Sequence, residues 1–181
     1  MADVTSTIQK FYEVAQKRDF SRDCFFRVLS ISFGDGSKVK FDEDDLVYAK
    51  GGKVPGRNIT NQQVPFMGMN FNVSGTVQYP GSENYTLQFY CDEKSIIHDK
   101  LEAASREVFD DETSTGNYHI AKASAVMDLV QLDPDLNIVK HYQLIGLAVR
   151  NVGDITYTYD GNGKPVQFDA SFSYHFYKII K

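Results

Sequence analysis

The clearest regularity along the chain is an alternation of period two. Met67, Met69, Phe71, Val73, Gly75, Val77 and Tyr79 take turns with Gly68, Asn70, Asn72, Ser74, Thr76 and Gln78, as do side chains on opposite faces of an extended strand. The pattern predicts one long strand over 67–79 with an apolar and a polar face. Pro80-Gly81-Ser82 supplies a turn, and Tyr85, Leu87, Phe89 and Cys91 resume the alternation as its expected hairpin partner. A second long run sets Val166, Phe168, Ala170, Phe172, Tyr174 and Phe176 against Gln167, Asp169, Ser171, Ser173 and His175, after the turn Asp160-Gly161-Asn162-Gly163.

Weaker signals fill in the rest. A strand from Arg22 carries Phe25, Leu29, Ile31 and Phe33, and Gly34-Asp35-Gly36 reads as a hairpin turn into 38–41, followed by an acidic loop at 42–45. Residues 50–63 hold Gly51, Gly52, Gly56 and Pro55 among mostly polar side chains, which predicts a long loop. Further strands are expected over 120–132, 138–149 and 154–159, punctuated by Asp133-Pro134-Asp135 and Asn151-Val152-Gly153. Helical spacing occurs twice: Ile8, Phe11, Tyr12 and Ala15 within 3–18, and Ile97, Leu101, Ala104 and Val108 within 94–109, with Asp92 as cap and a polar loop at 110–118 behind it. Strands of this length with one apolar face need a second layer. The expected fold is therefore mainly β: an antiparallel β-sandwich or barrel with the 94–109 helix on its flank and a short N-terminal helix, with residues 1–181 as one domain.

Composition narrows the function. The 181 residues are 42% hydrophobic and carry 19 Lys plus Arg against 24 Asp plus Glu, a formal net charge of -5. That balance disfavours charge-driven binding to nucleic acid or anionic lipid. The first residues mix charged and apolar types where an export signal needs an uninterrupted apolar run, so a cytoplasmic site of synthesis is expected, with no membrane partner. On that expectation Cys24 and Cys91 are read as buried thiols, and the sequons at Asn58, Asn72 and Asn84 stay unmodified.

Chemistry is sparse. His98, His119, His141 and His175 are scattered without metal-ligand spacing. Asp133, Asp135 and Asn137 imitate the start of a calcium loop, but Ile138 stands where glycine is required and Leu144 where the bidentate Glu belongs. Phosphate-loop, dinucleotide and nucleophile-elbow strings are absent from the sequence. No catalytic residue, cofactor or metal is expected. The 13 Phe and 11 Tyr fall at alternating positions that core packing explains.

The polar faces of the long strands remain unusual. Asn70, Asn72, Ser74, Thr76 and Gln78, with Gln167, Asp169, Ser171, Ser173 and His175, contain neither Lys nor Arg, although water-facing sheets ordinarily carry many charges. One reading is a plain solvated sheet face. The other is a wall past which a polyanion slides without sticking.

Residues 54–75, with Pro55-Gly56, Val64-Pro65, Phe66-Met67 and Asn72-Val73-Ser74-Gly75, resemble the loop and long strand of the tail tube proteins of contractile-tailed, T4-like bacteriophages. A second resemblance covers 142–177, through Gly146-Leu147, Asn151-Val152-Gly153, Gln167-Phe168 and the terminal aromatics. Element order agrees over nearly the whole chain; Arg150 departs from a pattern that favours Pro there. The resemblance implies a structural virion protein: homohexameric rings stacked into the inner tube of a contractile phage tail, a passive conduit for DNA ejection. It implies as partners the tail sheath protein, the baseplate and tail terminator proteins, and, transiently in the lumen, the measuring protein and DNA. The expected location is the virion tail, with the host cytoplasm during assembly. Asn70, Asn72, Ser74, Thr76, Gln78, Asp169, Ser171 and Ser173 are the lumen-facing candidates. Lys53, Val54, Pro55, Gly56, Arg57, Asn58, Ile59 and Thr60, with the N-terminal helix, are the ring-to-ring candidates. Alternatives are a baseplate tube initiator of the same fold, the inner tube of a contractile secretion or injection system, and a small-ligand-binding β-barrel.

Overall fold

The computed structural model describes residues 4–180, with side chains from residue 7 onward. In chain order the elements are α1 (Val4–Lys17), β1 (Phe26–Phe33), α2 (Glu43–Leu46), β2 (Ala49–Gly51), β3 (Asn58–Phe66), β4 (Met69–Gln78), β5 (Tyr85–Tyr90), α3 (Ile96–Val108), β6 (Phe109–Asp110), β7 (Thr115–Gly116), β8 (Ala125–Leu132), β9 (Ile138–Ile145), β10 (Ala148–Val152), β11 (Gln167–Ser173) and β12 (Phe176–Ile179). Eight of the strands make two antiparallel four-stranded sheets, ordered β1-β8-β9-β12 and β10-β11-β5-β2. Among the described residues β3 pairs only with β4, and β6 only with β7.

The two larger sheets face each other across one apolar core, as the long apolar faces require. Val28, Ile31, Met127, Leu129, Tyr142 and Leu144 enter it from one sheet, and Tyr85, Leu87, Phe89, Phe168, Ala170 and Phe172 from the other. Phe33 stacks on Phe172 across the layers with ring centroids 6.5 Å apart. A bulge between Val28 and Ser30 turns both Val28 and Ile31 inward, so β1 does not follow the strict alternation.

Helix α3 forms where its periodicity predicts and buries Ile97, Leu101 and Ala104. The N-cap position is Ser95, at φ 54° and without a side-chain cap bond, rather than Asp92, whose carboxylate accepts from the amides of Lys94 at 3.3 Å and Ile97 at 3.5 Å just ahead of and inside the first turn. Lys100 ties α3 to α2 through Asp45 at 2.5 Å, and the Asp45 carboxylate, by accepting its hydrogen bond, raises the lysine pKa. On the other side His98 Nε2 lies 3.3 Å from the Gly153 carbonyl, just past β10.

Two runs that read as single long strands are each broken at a corner. β9 ends at Ile145 and β10 begins at Ala148 in the opposite sheet; β11 ends at Ser173 and β12 begins at Phe176 in the opposite sheet. The corners touch: the His175 amide donates to the Ile145 carbonyl at 2.9 Å. Gly146 turns at φ +75°, and a Cβ there would meet His175 Cγ and Nε2 at 2.7 Å and Cδ2 closer still.

Other expectations are corrected. The turn at 34–36 is present, with both glycines at positive φ, but 38–41 is no strand, because β8 rather than a local hairpin partner pairs with β1. Residues 58–63 belong to β3 rather than to a loop, and β4 pairs with β3 instead of β5. β5 lies between β11 and β2, where its apolar side chains are buried by the other sheet. Residues 154–159 form no strand. Cys24 is exposed, since it precedes β1 outside the sandwich; Cys91 is half-buried, and both are free.

Candidate assembly interface

The β3–β4 hairpin lies outside the core. Every residue of β4, and every residue of β3 except the half-buried Thr60, is exposed. At the tip, Met67 and Gly68 turn at φ 46° and 82°, and Met67 is 88% exposed. Phe66, Met69, Phe71, Val64 and Val73 are all at least half open to solvent or nearly so. A two-stranded hairpin with neither face covered is marginal in water, and a contiguous apolar patch of this kind marks an interaction surface.

Its faces are not what strict alternation predicts. The register pairs Ile59 with Val77 and Asn61 with Ser74, so two residues of β3 span three of β4. Gly75 and Thr76 are the bulged pair, both on the side of Thr60: the Thr60 and Thr76 hydroxyls are 3.2 Å apart, and a Cβ on Gly75 would lie 2.6 Å from Thr60 Oγ1 and 3.2 Å from Gln62 Cγ. Alternation therefore flips at the bulge. Asn70, Asn72 and Ser74 share one face with Pro65, Gln63 and Asn61, whereas Thr76 and Gln78 stand on the other, with Val73, Phe71 and Met69. The five polar residues that read as one ribbon are split three and two.

A second polar surface is the outer side of the β10-β11-β5-β2 sheet. Gln167, Asp169, Ser171 and Ser173 alternate with the buried Phe168, Ala170 and Phe172, and stand beside Tyr90, Gln88 and Thr86 of β5. Asp169 is exposed and Ser173 half-buried, but Ser171 is buried at 7%, its hydroxyl 3.3 Å from that of Thr86. Ser171 is thus closed off by its strand neighbours rather than open to a channel. Lys50 contributes a cation that the strand patterns did not reveal; its Nζ donates to Gln167 Oε1 at 2.8 Å and sits 5.7 Å from the centre of the Tyr90 ring.

The segment Lys53–Thr60 divides in two. Pro55 is buried, and both backbone groups of Lys53 bond the Tyr85 hydroxyl, while Asn58, Ile59 and Thr60 open β3. Lys53, Val54, Gly56 and Arg57 are the exposed positions outside the strand. α1 shows Ile8, Phe11, Tyr12 and Val14 to solvent.

The fold also gathers polar groups that the sequence keeps apart. Asp128 Oδ1 accepts from His141 Nε2 and Gln143 Nε2, each at 3.0 Å, and Oδ2 from Ser30 Oγ at 2.6 Å. The carboxylate is at the centre of this group, and the Ser30 hydroxyl donates to it rather than to the His141 imidazole. His98, Asp99 and Glu102 have ligand atoms within 4.8 Å of one another; His98 is engaged with Gly153 and Phe168, and Glu102 with Arg106 at 2.7 Å.

No family model matches the sequence, and no curated protein matches it. Solved structures do resemble the fold. A chain of the six-fold-symmetrised baseplate of the anti-feeding prophage superposes with TM-score 0.64 at 12% identity, over 90% of this chain and 97% of that one. A chain of the tube-terminating cap of the same particle gives TM-score 0.58 at 9% identity, over 90% and 91%. One from the extended sheath–tube complex of an extracellular contractile injection system gives 0.52 at 11% identity, over 92% and 95%. The chain thus has the fold found in tube, cap and baseplate assemblies of contractile injection systems.

Proposed function

We propose that this chain, with 1–181 as one structural domain, is a subunit of the inner tube of a contractile tail or injection particle. Six copies would close into a ring, and rings would stack within a sheath between baseplate and terminator proteins. The observation that carries this reading is the β3–β4 hairpin, exposed on both faces yet apolar on one toward its tip and on the other at its root, which is unstable as a free element and well made for burial against a second copy. Fold likeness to chains of a six-fold baseplate and of a sheath–tube complex supports it. Ring closure pairs sheet edges that otherwise stay open.

The channel wall in this reading is the outer face of the β10-β11-β5-β2 sheet together with the polar hairpin face. Asn70, Asn72, Ser74, Asp169 and Ser173 line it, Ser171 lies beneath its surface, and Thr76 and Gln78 leave it for the contact with a neighbour. A wall of amides and hydroxyls, with Lys50 held by Gln167, gives DNA few cations to bind. The role is passive conduction and needs no catalytic group. Val54, Gly56, Arg57 and the apolar stripe of α1 are the ring-to-ring surfaces, and the particle tail is the location. Because Asn58, Ile59 and Thr60 open the hairpin, this contact is tested by Arg57→Glu and Val54→Asp, which leave the hairpin in place.

Electron microscopy of the concentrated protein tests the reading. Stacked six-fold rings or hollow tubes are expected. Rings that never stack would assign the chain to a baseplate, and a monomer under all conditions, even with a baseplate to nucleate it, would refute assembly altogether.

A further inference from the structure

Five tyrosines gather where the hairpin joins the sandwich. Tyr79, which follows β4, meets Tyr177 edge-on with centroids 5.5 Å apart; Tyr142 meets Tyr177 at 6.2 Å, and Tyr85 meets Tyr174 at 5.9 Å. The chain entering the hairpin is tied down here, since Lys53 bonds the Tyr85 hydroxyl through its amide and its carbonyl. The chain leaving it is tied down as well: the Tyr174 amide donates to the Ser82 carbonyl at 2.9 Å.

One group in this cluster is unspent. Tyr174 is 4% exposed, and its hydroxyl is buried with no hydrogen-bond partner among the described residues. Burial among phenols pushes its pKa up, so it stays a neutral donor and acceptor. Buried hydroxyls almost always find a partner, because water offers them one in the unfolded chain. An orphan at the root of an element that contacts little else needs an explanation.

We infer that the Tyr174 hydroxyl is reserved for the assembled state: docking of the hairpin on a second copy reseats its root, formed by residues 52–57 and 79–82, and gives Tyr174 the partner that the free subunit lacks. This rests on the assembly reading above. The free subunit then carries a small penalty that assembly removes, which biases the hairpin root toward its docked position only when a neighbour is present.

Tyr174→Phe removes the hydroxyl and keeps the ring. Two quantities are read: the melting temperature of dilute subunit by circular dichroism, and the protein concentration at half-assembly by sedimentation. The expected result is a melting temperature unchanged or raised, with half-assembly needing about five-fold more protein, the worth of one lost hydrogen bond. Tyr85→Phe is the contrast, since its hydroxyl is bonded in the free subunit, and it lowers the melting temperature. A fall in the melting temperature of Tyr174→Phe like that of Tyr85→Phe would show the hydroxyl already partnered and overturn the inference. An unchanged or lower half-assembly concentration would overturn it too. Failure of the unchanged chain to form rings would remove the assembly reading and this inference together; rings from the unchanged chain with no shift in the variant would remove this inference alone.

Discussion

Gly146→Ala attacks the point where the two sheets exchange strands. Gly146 stands at φ +75°, and its amide and that of Leu147 donate to the Ala125 carbonyl at 2.9 and 3.1 Å, so the corner cannot relax without losing both bonds. Holding a residue with a Cβ in the left-handed region costs about 1–3 kcal/mol. The new methyl would also lie 2.7 Å from His175 Cγ and Nε2, and forcing that exposed ring off its rotamer and shifting the corner backbone costs about 1–3 kcal/mol more. The sum, about 2–6 kcal/mol, corresponds to a fall in melting temperature of at least about 5 °C for a chain of this size. The two contributions separate in a double-mutant cycle. His175 is exposed, so His175→Ala by itself changes stability by within about 0.5 kcal/mol. In that background the contact is gone and Gly146→Ala keeps only the backbone cost, so a coupling of about 1–3 kcal/mol is expected in chemical denaturation. A single-mutant loss below about 1 kcal/mol, or an equal loss in both backgrounds, would refute the argument.

Three further outcomes are expected. Phe71→Ser with Val73→Ser, at side chains 48% and 50% exposed in the free chain, changes subunit stability by about 1 kcal/mol or less but abolishes rings in negative-stain micrographs; intact rings would free the apolar hairpin face from any interface role. Asn72→Arg slows DNA ejection from assembled particles, whereas Thr76→Arg, on the opposite hairpin face, impairs ring formation instead; slowed ejection through well-formed Thr76→Arg tubes would contradict the assigned faces. Lys100→Met costs about 1 kcal/mol at neutral pH through the lost charged hydrogen bond to Asp45. Because pairing raises the Lys100 pKa above its usual 10.5, that stabilisation is full below about 10.5 and disappears as pH climbs through the folded value. The stability difference between the two proteins therefore narrows in alkaline unfolding curves, and a difference constant to pH 12 would exclude the pair as its source.

Periodicity carried the sandwich and its flanking helix into view because both are local. Alternation names the face of a strand, and the Ile97, Leu101, Ala104 stripe names the face of α3. Partner choice is not local: nothing in the alternation of 67–79 distinguishes β3 from β5 as its neighbour, and the polar look of 58–63 hid a strand that needs no apolar face because no core covers it. The corners at Gly146 and at Tyr174-His175 were equally hidden: the first lies in a run, 144–149, that is apolar throughout and shows no phase to break, and the second keeps the alternation running while the strand changes sheets.

The bulge at Gly75 and Thr76 shows why the site was less legible than the fold. A polar ribbon is inferred by counting in twos, and one extra residue reverses every side chain beyond it. The glycine in the run was the available sign, because a bulged residue crowded by its cross-strand neighbour has no room for a Cβ. The reversal also has a consequence for assembly. Near the root, Ile59 and Val77 share the face that carries Asn61, Ser74, Gln63 and Asn72 farther out, while Val64, Phe66, Phe71 and Met69 crowd the opposite face toward the tip. A hairpin lying flat against one flat partner could bury only one of these apolar groups. To bury both, it must pass between two surfaces, covered on one side near its root and on the other near its tip. A ring in which each hairpin reaches across the boundary between its own subunit and the next supplies that arrangement; an isolated subunit does not.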